Sequence, residues 1–283
     1  MGAHTVIQLS DLHITAAGDL HGQDPRANLD RVLADIARRG IEPDLVVATG
    51  DLADDGDPEA YAWLQSRLRS LGVPVYCLAG NHDREPAFTR DLPGPGVHVD
   101  PVVDVGEWRF VFLDTNARGQ VLGASGERED DGDRRHRARV GALFDTDADW
   151  LRATLAEAAG RPVMVWVHHP PVAHPAFVGL DTGEYPQLLA EVAAAAGNVR
   201  GVAAGHVHSS HDEARDGVRY FTCPSGWLTL DLDGGTLAPP GYREYRFHAD
   251  GRIDATTHWV DDGLGPERNP FPDWVLTVLA AGG

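Results

Sequence analysis

Short apolar segments rich in β-branched residues alternate with amphipathic segments through the first two thirds of the 283-residue chain. This alternation limits the fold more than any other feature. Six apolar segments predict strands: HTVIQLS, DLVVATG, VPVYCLAG, WRFVFLDT, PVMVWVHH and VRGVAAGH. Continuous rather than alternating apolar runs are typical of strands that helices cover on both faces. The pattern therefore predicts an α/β domain with buried strands.

Four helices are predicted between these strands. They span about residues 26–39, 58–71, 147–159 and 187–196. In the first helix, one face carries the apolar residues at helical spacing, and Gly40 follows as a stop. The residues of that face are Leu29, Val32, Leu33 and Ile36.

Two segments interrupt the alternation. Residues 117–140 have few apolar and many charged side chains, so we expect an inserted loop that is either disordered or a lid over a site. Residues 231–242 form a Gly- and Pro-rich connection to two further predicted strands, REYRFHA and THWV. We therefore expect a main domain over 1–230 and a C-terminal part, 231–283, that packs on this domain or forms an oligomer contact.

Composition excludes several classes of function. A formal charge of -19 repels nucleic acid backbones and anionic membranes, so we expect neither a nucleic acid polymer nor a membrane as partner. Two cysteines, Cys77 and Cys223, imply no disulfide framework. The N-terminal segment lacks the pattern of a signal peptide, and no segment approaches the roughly 20 apolar residues of a membrane span. We therefore expect a cytoplasmic location.

Nearly every predicted strand ends on a residue type that binds metal ions or takes part in catalysis. These residues are Asp11, His13, Asp51, Asn81, His82, Asp83, Asp114, Asn116, His168, His169, His206 and His208. Ligand sites of open α/β sheets lie outside the carboxyl ends of the strands, so these side chains should converge. Side chains at i and i+2 of an extended segment point the same way, so we expect each Asp-x-His or His-x-His pair to face one centre. Glycines at 50, 80 and 205 allow tight turns before three of these residues.

The chemistry of these side chains points to metal ions. Carboxylate, amide and imidazole donors without a thiolate suit divalent or trivalent Mn, Fe, Zn or Co. Seven candidate ligands are too many for one ion that must keep an open position: Asp11, His13, Asp51, Asn81, His168, His206 and His208. They suit two ions that share one bridging carboxylate at about 3.5 to 4 Å separation, an arrangement that clamps the attacking and leaving oxygens of a phosphoryl displacement.

The ordered blocks DLH, GD, GNHD, HH and GHVH, over about residues 5–225, resemble the calcineurin-like metallophosphoesterase superfamily. Within it, SDLH, GDLADDGDPEAY, LDTN, HHPP and AGHVH are most similar to class III cyclic nucleotide phosphodiesterases and their glycerophosphodiesterase relatives. The resemblance implies a four-layer αββα sandwich, with two mixed sheets flanked by helices.

The resemblance also implies a role for each matched residue. One ion would bind Asp11, His13, Asp51 and His208, and the other Asp51, Asn81, His168 and His206. Asp51 would bridge the ions, and a hydroxide held between them would attack phosphorus. His82 matches the histidine that faces the substrate, and Asp54 matches the carboxylate that orients it.

Four further residues have other expected roles. His169 is open between a structural role and a substrate contact, and Asn116 is a second candidate substrate contact. Asp83 is expected to brace its turn, and Trp227 to belong to a core or an interface.

We therefore expect a dinuclear metal-dependent phosphodiesterase that hydrolyses a small diester, either a cyclic nucleotide or a glycerophosphodiester. A phosphomonoesterase or nucleotide pyrophosphatase of the same superfamily is the alternative. A non-catalytic scaffold would predict gaps in the ligand set, and the set has none. The resemblance also leaves a homodimer open, because relatives of this subgroup often associate through C-terminal segments such as the one after Gly226.

Overall fold

A computed structural model describes residues 2–116, 141–172, 185–260, 271–273 and 275–276. The expected insertion at 117–140 lies outside the described residues. The described helices are α1 (Pro25–Arg38), α2 (Pro58–Arg69), α3 (Ala87–Asp91), α4 (Asp145–Glu157) and α5 (Tyr185–Ala196). The described strands are β1 (His4–Leu9), β2 (Leu45–Thr49), β3 (Val75–Leu78), β4 (Val97–His98), β5 (Val102–Val105), β6 (Trp108–Phe112), β7 (Val163–Trp166), β8 (Val199–Ala204), β9 (His211–Arg215), β10 (Val218–Thr222), β11 (Thr229–Asp231), β12 (Thr236–Ala238), β13 (Gly241–Phe247) and β14 (Ile253–Trp259).

Two six-stranded mixed sheets organise these elements. The first has the order β14-β13-β1-β2-β3-β4, and the second β5-β6-β7-β8-β10-β9. Strands β1 to β4 pair in parallel, as do β6, β7, β8 and β10. The carboxyl ends of each parallel set therefore meet at one edge of its sheet. Strands β11 and β12 form a separate hairpin.

Apolar cores on both faces of each sheet produce four layers. Leu9 and Leu29 belong to the core between the first sheet and helices α1 and α2. Val165 and Leu189 belong to the core between the second sheet and helices α4 and α5. Trp166 belongs to a third core that lies between the two sheets. The predicted αββα sandwich is confirmed, because burial on both faces is what the continuous apolar runs require.

Local sequence explains where the first two helices begin. Asp24 accepts hydrogen bonds from the backbone N–H groups of the first turn of α1, and Asp57 does the same for α2. A proline follows each aspartate at the first helical position, where the missing N–H costs nothing. None of the described helices has the length and apolar character that a membrane crossing requires.

The C-terminal strands complete the first sheet. Strand β13 pairs antiparallel with β1 and with β14. Tyr242, Tyr245 and Phe247 are fully buried, and the Tyr245 hydroxyl donates to Oε1 of Gln8 at 2.7 Å. Residues 241–259 therefore share a sheet and cores with the residues before 230. The division of the chain at residue 230 stays a prediction.

Candidate metal centre

The loops that follow β1, β2, β3, β7 and β8 carry most of the residues predicted at strand ends, and these residues meet in space. Among the described residues, potential ligand atoms form four groups, and the atoms of each group lie within 4.8 Å of one another. The groups are Asp11, His13 and His208; His13, Asp51 and His82; Asp11, Asp51 and His168; and His168, His169 and His206. Shared members join the groups into one cluster that spans both sheets. Asn81 lies beside it, with Oδ1 2.9 Å from Nε2 of His168.

The backbone of five cluster residues is left-handed. The φ angle is 52° at Asp11, 46° at His13, 49° at Asp51, 70° at His206 and 51° at His208. The expectation that the Asp-x-His and His-x-His pairs lie in extended segments was wrong, because β1 and β8 end before the pairs begin. Left-handed non-glycine residues cost on the order of 1 kcal/mol or more each, and they cluster at functional sites.

Gly50, Gly80 and Gly205, which precede Asp51, Asn81 and His206, permit close approach of the loops. A Cβ on Gly80 would lie 2.2 Å from the backbone nitrogen of Asp51, and a Cβ on Gly205 would lie 1.9 Å from Oγ of Ser10. Gly50 has a φ of 89°, which favours glycine. The absence of a side chain is therefore a packing requirement at all three positions, since a Cβ on Gly50 would lie 2.4 Å from Nδ1 of His168, and Gly50 also supplies the tight turn that was predicted.

Backbone carbonyls orient two of the histidine rings. Nδ1 of His168 donates to the carbonyl of Thr49 at 2.9 Å, and Nδ1 of His208 donates to the carbonyl of Leu228 at 2.8 Å. A carbonyl can only accept, so each neutral ring leaves its Nε2 lone pair directed toward the cluster. Hydrogen bonds of this kind fix the tautomer and orientation of histidines that bind metal ions.

Several atoms with lone pairs face one another inside the cluster. Nε2 of His13 and Nε2 of His208 are 3.2 Å apart. Nε2 of His168 is 2.9 Å from Oδ1 of Asn81 and 3.4 Å from Oδ2 of Asp51. Such contacts are favourable only when a proton or a cation lies between the lone pairs. The donors are nitrogen and oxygen atoms without a thiolate, so the cluster fits divalent metal ions of the Mn, Fe, Zn and Co type.

Two rings of the cluster have pKa values displaced in opposite directions. Burial lowers the pKa of His168, but the charge of Asp51 and a hydrogen bond to it outweigh burial and raise the pKa to about 9. Burial also lowers the pKa of His208, Asp11 offsets this only in part, and the neighbouring His13 lowers it further, to about 4. At neutral pH, when no ion competes for Nε2, these pKa values favour a cationic His168 ring and a neutral His208 ring.

His82 and Asp54 lie beside this cluster. The His82 side chain is 41% exposed, and its Nδ1 is 2.9 Å from the backbone carbonyl of Asp54 and 3.2 Å from its Oδ1. Burial lowers the pKa of His82, but its hydrogen bond to Asp54 and the charge of Asp51 raise it to about 9. The same Oδ1 is 2.9 Å from Nδ1 of His13. The carboxylate expected to orient His82 therefore makes its shorter contact with a candidate metal ligand.

Comparison with known proteins agrees with this geometry. Residues 4–210 match the model of the calcineurin-like phosphoesterase family. The chain belongs to this family. The resemblance inferred from the sequence blocks is confirmed.

One similar curated protein is a 3',5'-cyclic adenosine monophosphate phosphodiesterase, CpdA of Pseudomonas aeruginosa. It is 32% identical over 269 residues, which cover 91% of this chain and 90% of the relative. Among solved structures, a dimetal phosphatase from Danio rerio has a TM-score of 0.60 at 16% identity, covering 92% of this chain and 100% of the other. GAP50, the anchor in the inner membrane complex of Plasmodium, has a TM-score of 0.62 at 14% identity and covers 100% and 95%. At these identities the two structures show the fold alone.

In this phosphoesterase, Asp83 links the loops that follow β2 and β3, which carry candidate metal ligands. Its carboxylate accepts from the backbone N–H groups of Leu52 at 3.1 Å, Ala53 at 3.0 Å and Gly80 at 2.8 Å. It also accepts from the Tyr61 hydroxyl at 2.8 Å. Burial and the nearby charge of Asp51 raise its pKa, which these backbone donors partly offset. The contacts agree with the expectation that Asp83 braces its turn.

Asn116 and His169 lie at the edge of the cluster on the side of the second sheet. The Asn116 amide donates from Nδ2 to the carbonyl of Ala79 at 3.1 Å, and its Oδ1 is buried without a hydrogen-bond partner among the described residues. His169 is 1% exposed, and its Nδ1 is 2.8 Å from Oγ1 of Thr115. Such burial favours the structural alternative for His169.

Sequence reasoning missed the segment 225–230, which contacts ligand loops of both sheets. Oγ of Ser225 donates to the backbone carbonyl of Asp11 at 2.7 Å, and Leu230 N donates to the carbonyl of His208 at 2.7 Å. Trp227, expected in a core or an interface, is 4% exposed, and its ring centroid lies 4.9 Å from that of His13. The one available signal was a tryptophan, with a serine two residues earlier, shortly after a strand that ends at the site.

Proposed function

We propose that this phosphoesterase hydrolyses a small phosphodiester of the 3',5'-cyclic nucleotide class with two bound divalent metal ions. The name of the Pseudomonas aeruginosa relative supports the substrate class. The observation that carries the proposal is the convergence of lone pairs between His13 and His208 and between His168 and Asn81. Two separate pairs of facing donors are what a centre for two ions requires.

The proposed ligand sets follow this division. One ion would bind Asp11, His13, Asp51 and His208, and the other Asp51, Asn81, His168 and His206. Asp51 is 2% exposed, and its Oδ2 lies 3.7 Å from Nε2 of His13 and 3.4 Å from Nε2 of His168. A carboxylate between both imidazoles supports the bridging role for Asp51.

When bound, the ions would polarise the phosphoryl group and activate the attacking water. We assign to His82 the interaction between the protein and the leaving-group oxygen. Its ring is partly exposed beside the cluster, and its backbone N–H donates to Oδ1 of Asp51 at 2.8 Å. A protonated imidazole there can steady a phosphoryl oxygen or donate its proton to the leaving alkoxide.

Asn116 is assigned to the substrate as well. Its Nδ2 donates to the carbonyl of Ala79 and to Oδ1 of Asp114, whereas its buried Oδ1 has no hydrogen-bond partner among the described residues. Buried acceptors without a partner are rare in native proteins. A hydroxyl or amino group of the nucleotide would supply the missing donor.

The fold alone does not decide between enzyme and scaffold, since the Plasmodium anchor protein shares it. The complete set of converging donors favours the enzyme.

We retain a homodimer and a cytoplasmic location as parts of the proposal. Analytical ultracentrifugation and cell fractionation test them respectively.

A substrate panel on protein loaded separately with Mn²⁺, Fe²⁺, Zn²⁺ or Co²⁺ tests the function. The panel contains 3',5'-cyclic AMP, glycerophosphocholine, bis-(p-nitrophenyl) phosphate and p-nitrophenyl phosphate. We expect turnover of the cyclic nucleotide and of the bis-ester, with the chelated protein inactive. Hydrolysis of the monoester alone would support the phosphomonoesterase alternative and overturn the proposal.

A further inference from the structure

The indole of Trp227 packs against two candidate ligands of one ion. Its ring centroid is 4.9 Å from that of His13 and 6.0 Å from that of His208. These two imidazoles lie 5.1 Å from each other. The three rings therefore form one packed group on one side of the metal centre.

Trp227 is itself fixed from outside the cluster. Its backbone carbonyl accepts from Nδ2 of Asn28 in helix α1 at 2.9 Å. Its backbone N–H donates to Oγ of Ser225 at 3.0 Å. The indole is 4% exposed and belongs to an apolar cluster with Leu228 and Val275. A ring held in this way leaves the neighbouring imidazoles little freedom to rotate.

A matching group lies on the other side of the centre. The ring of His169 is 4.9 Å from that of His168 and 4.6 Å from that of His206, by centroids. Nδ1 of His169 contacts Oγ1 of Thr115 at 2.8 Å, and its carbonyl accepts from the hydroxyl of Tyr185 in helix α5 at 2.7 Å. Each outer helical layer therefore anchors one aromatic residue behind one pair of imidazoles.

We propose that Trp227 and His169 are positioning residues, each of which holds the imidazole pair of one metal ion. The proposal rests on the two-ion centre of the proposed function. Metal ligands must stay within about 0.5 Å and 10–20° of the productive geometry, which requires packed neighbours. Without the backing ring, both imidazoles gain rotational freedom that binding of the ion must remove. The effect should be confined to one ion, because each backing ring packs on one pair.

Calorimetric titration of the metal-free protein with Mn²⁺ tests the proposal without any measurement of catalysis. In the His168→Ala background, the remaining tight ion occupies the site of His13 and His208. Trp227→Leu in this background should lower the affinity for that ion about 10- to 100-fold, the usual effect of losing a residue that supports metal ligands. In the His13→Ala background, Trp227→Leu should leave the remaining ion unchanged.

His169→Leu should give the opposite pattern, with loss in the His13→Ala background and none in the His168→Ala background. Trp227→Phe and His169→Phe keep an aromatic ring and should recover most of the affinity. Asn28→Ala removes the amide that holds the Trp227 carbonyl, so it provides a milder variant should Trp227→Leu fail to fold. Trp259→Leu is the matched control, because Trp259 is 40% exposed on strand β14.

Equal weakening of both ions, or weakening of neither in a variant with a native circular dichroism spectrum, would overturn the proposal. A wild-type protein that binds one Mn²⁺ ion would overturn it together with the two-ion centre. A wild-type protein that binds two ions and hydrolyses no diester would overturn the proposed function alone. In that case the one-sided losses would still support the positioning roles, since the titration measures binding.

Discussion

The two halves of the proposed metal centre, one with His13 and His208 and the other with His168 and His206, are built in the same way and differ in charge. Each half has an imidazole whose Nδ1 donates to a backbone carbonyl, and each is backed by a buried ring. Yet the pKa of His168 is raised to about 9 and that of His208 is lowered to about 4. His168 is fully buried and the His208 side chain is 15% exposed, so burial would lower the pKa of His168 at least as much and does not explain the difference. The difference comes from the neighbouring charges, because the charge of Asp51 outweighs burial at His168, whereas Asp11 offsets the burial of His208 only in part and His13 lowers the pKa of His208 further.

Asp51→Asn is expected to have the largest effect, because Asp51 contacts both halves. Both Mn²⁺ ions should bind more weakly, and kcat/KM should fall about 1,000-fold or more, since metal ions contribute several kcal/mol to such transition states. Calorimetry and steady-state kinetics measure the two effects. Asp35→Asn is the matched control, because Asp35 is a buried carboxylate bonded to Arg39 and the Tyr242 hydroxyl. Loss of a single ion in Asp51→Asn would contradict the bridging role.

Asp54→Asn should weaken metal binding in the half that contains His13 and leave the other half unchanged. Oδ1 of Asp54 contacts Nδ1 of His13 and Nδ1 of His82, so both metal affinity and turnover should fall. We expect a loss of about 10-fold or more for the ion of the His13 half, and a loss in kcat of about 100-fold from disturbing His82.

His82→Ala is the comparison variant, with a fall in kcat and unchanged Mn²⁺ affinity. In the His82→Ala background, Asp54→Asn should still weaken Mn²⁺ binding. If it does not, Asp54 acts through His82 alone and the contact with His13 has no consequence for the metal.

The stability of the metal-free protein should depend on pH in opposite ways through the two halves. The pKa of His168 in the folded protein lies above the ordinary value of 6.5. Its contribution to the free energy of unfolding is therefore fully present below pH 6.5 and is lost as pH rises toward about 9. The pKa of His208 in the folded protein lies below 6.5. Its contribution to the free energy of unfolding is therefore fully present above pH 6.5 and is lost as pH falls toward about 4.

Melting temperatures of chelated protein across this pH range test the difference. His168→Gln should flatten the alkaline fall in Tm, and His208→Gln should flatten the acidic fall. If both variants altered the same limb, the two halves would not differ in charge as the structure indicates.

Added salt should have the smallest effect. The formal charge of -19 repels an anionic ester, but bound ions reverse the field inside the cluster. We therefore expect kcat/KM for a small diester to change little with ionic strength, as measured in a NaCl series. A steep loss with salt would mean that charges outside the two halves steer the substrate.

Much of the fold could be predicted from sequence, because six buried strands carry continuous apolar runs and Asp24 and Asp57 mark helix starts. The observed ends of these helices and strands differ from the expected ones by no more than three residues. Strand β9, with the sequence HDEAR, was not predicted. It lies at the edge of the second sheet and carries mostly polar, solvent-facing residues, so it has no apolar pattern.

The residues of the site could be named from strand ends and motif blocks, but their geometry could not. The left-handed backbone at Asp11 and His206 depends on loops packing against each other through Gly80 and Gly205, which are distant in sequence. The support from Trp227 was also hidden, because its contact with His13 joins residues 214 positions apart. Contacts of this range leave no periodic signal along the chain.

If the proposed centre binds metal ions, the left-handed backbone of the loops that carry the candidate ligands links folding to metal supply. Five strained residues and several facing lone pairs make the empty cluster costly, whereas bound ions stabilise the native state by mass action. A cell short of the metal would therefore hold a less stable chain that chaperones and proteases meet more often. The abundance of this protein, and not only its turnover, should follow the metal content of its host.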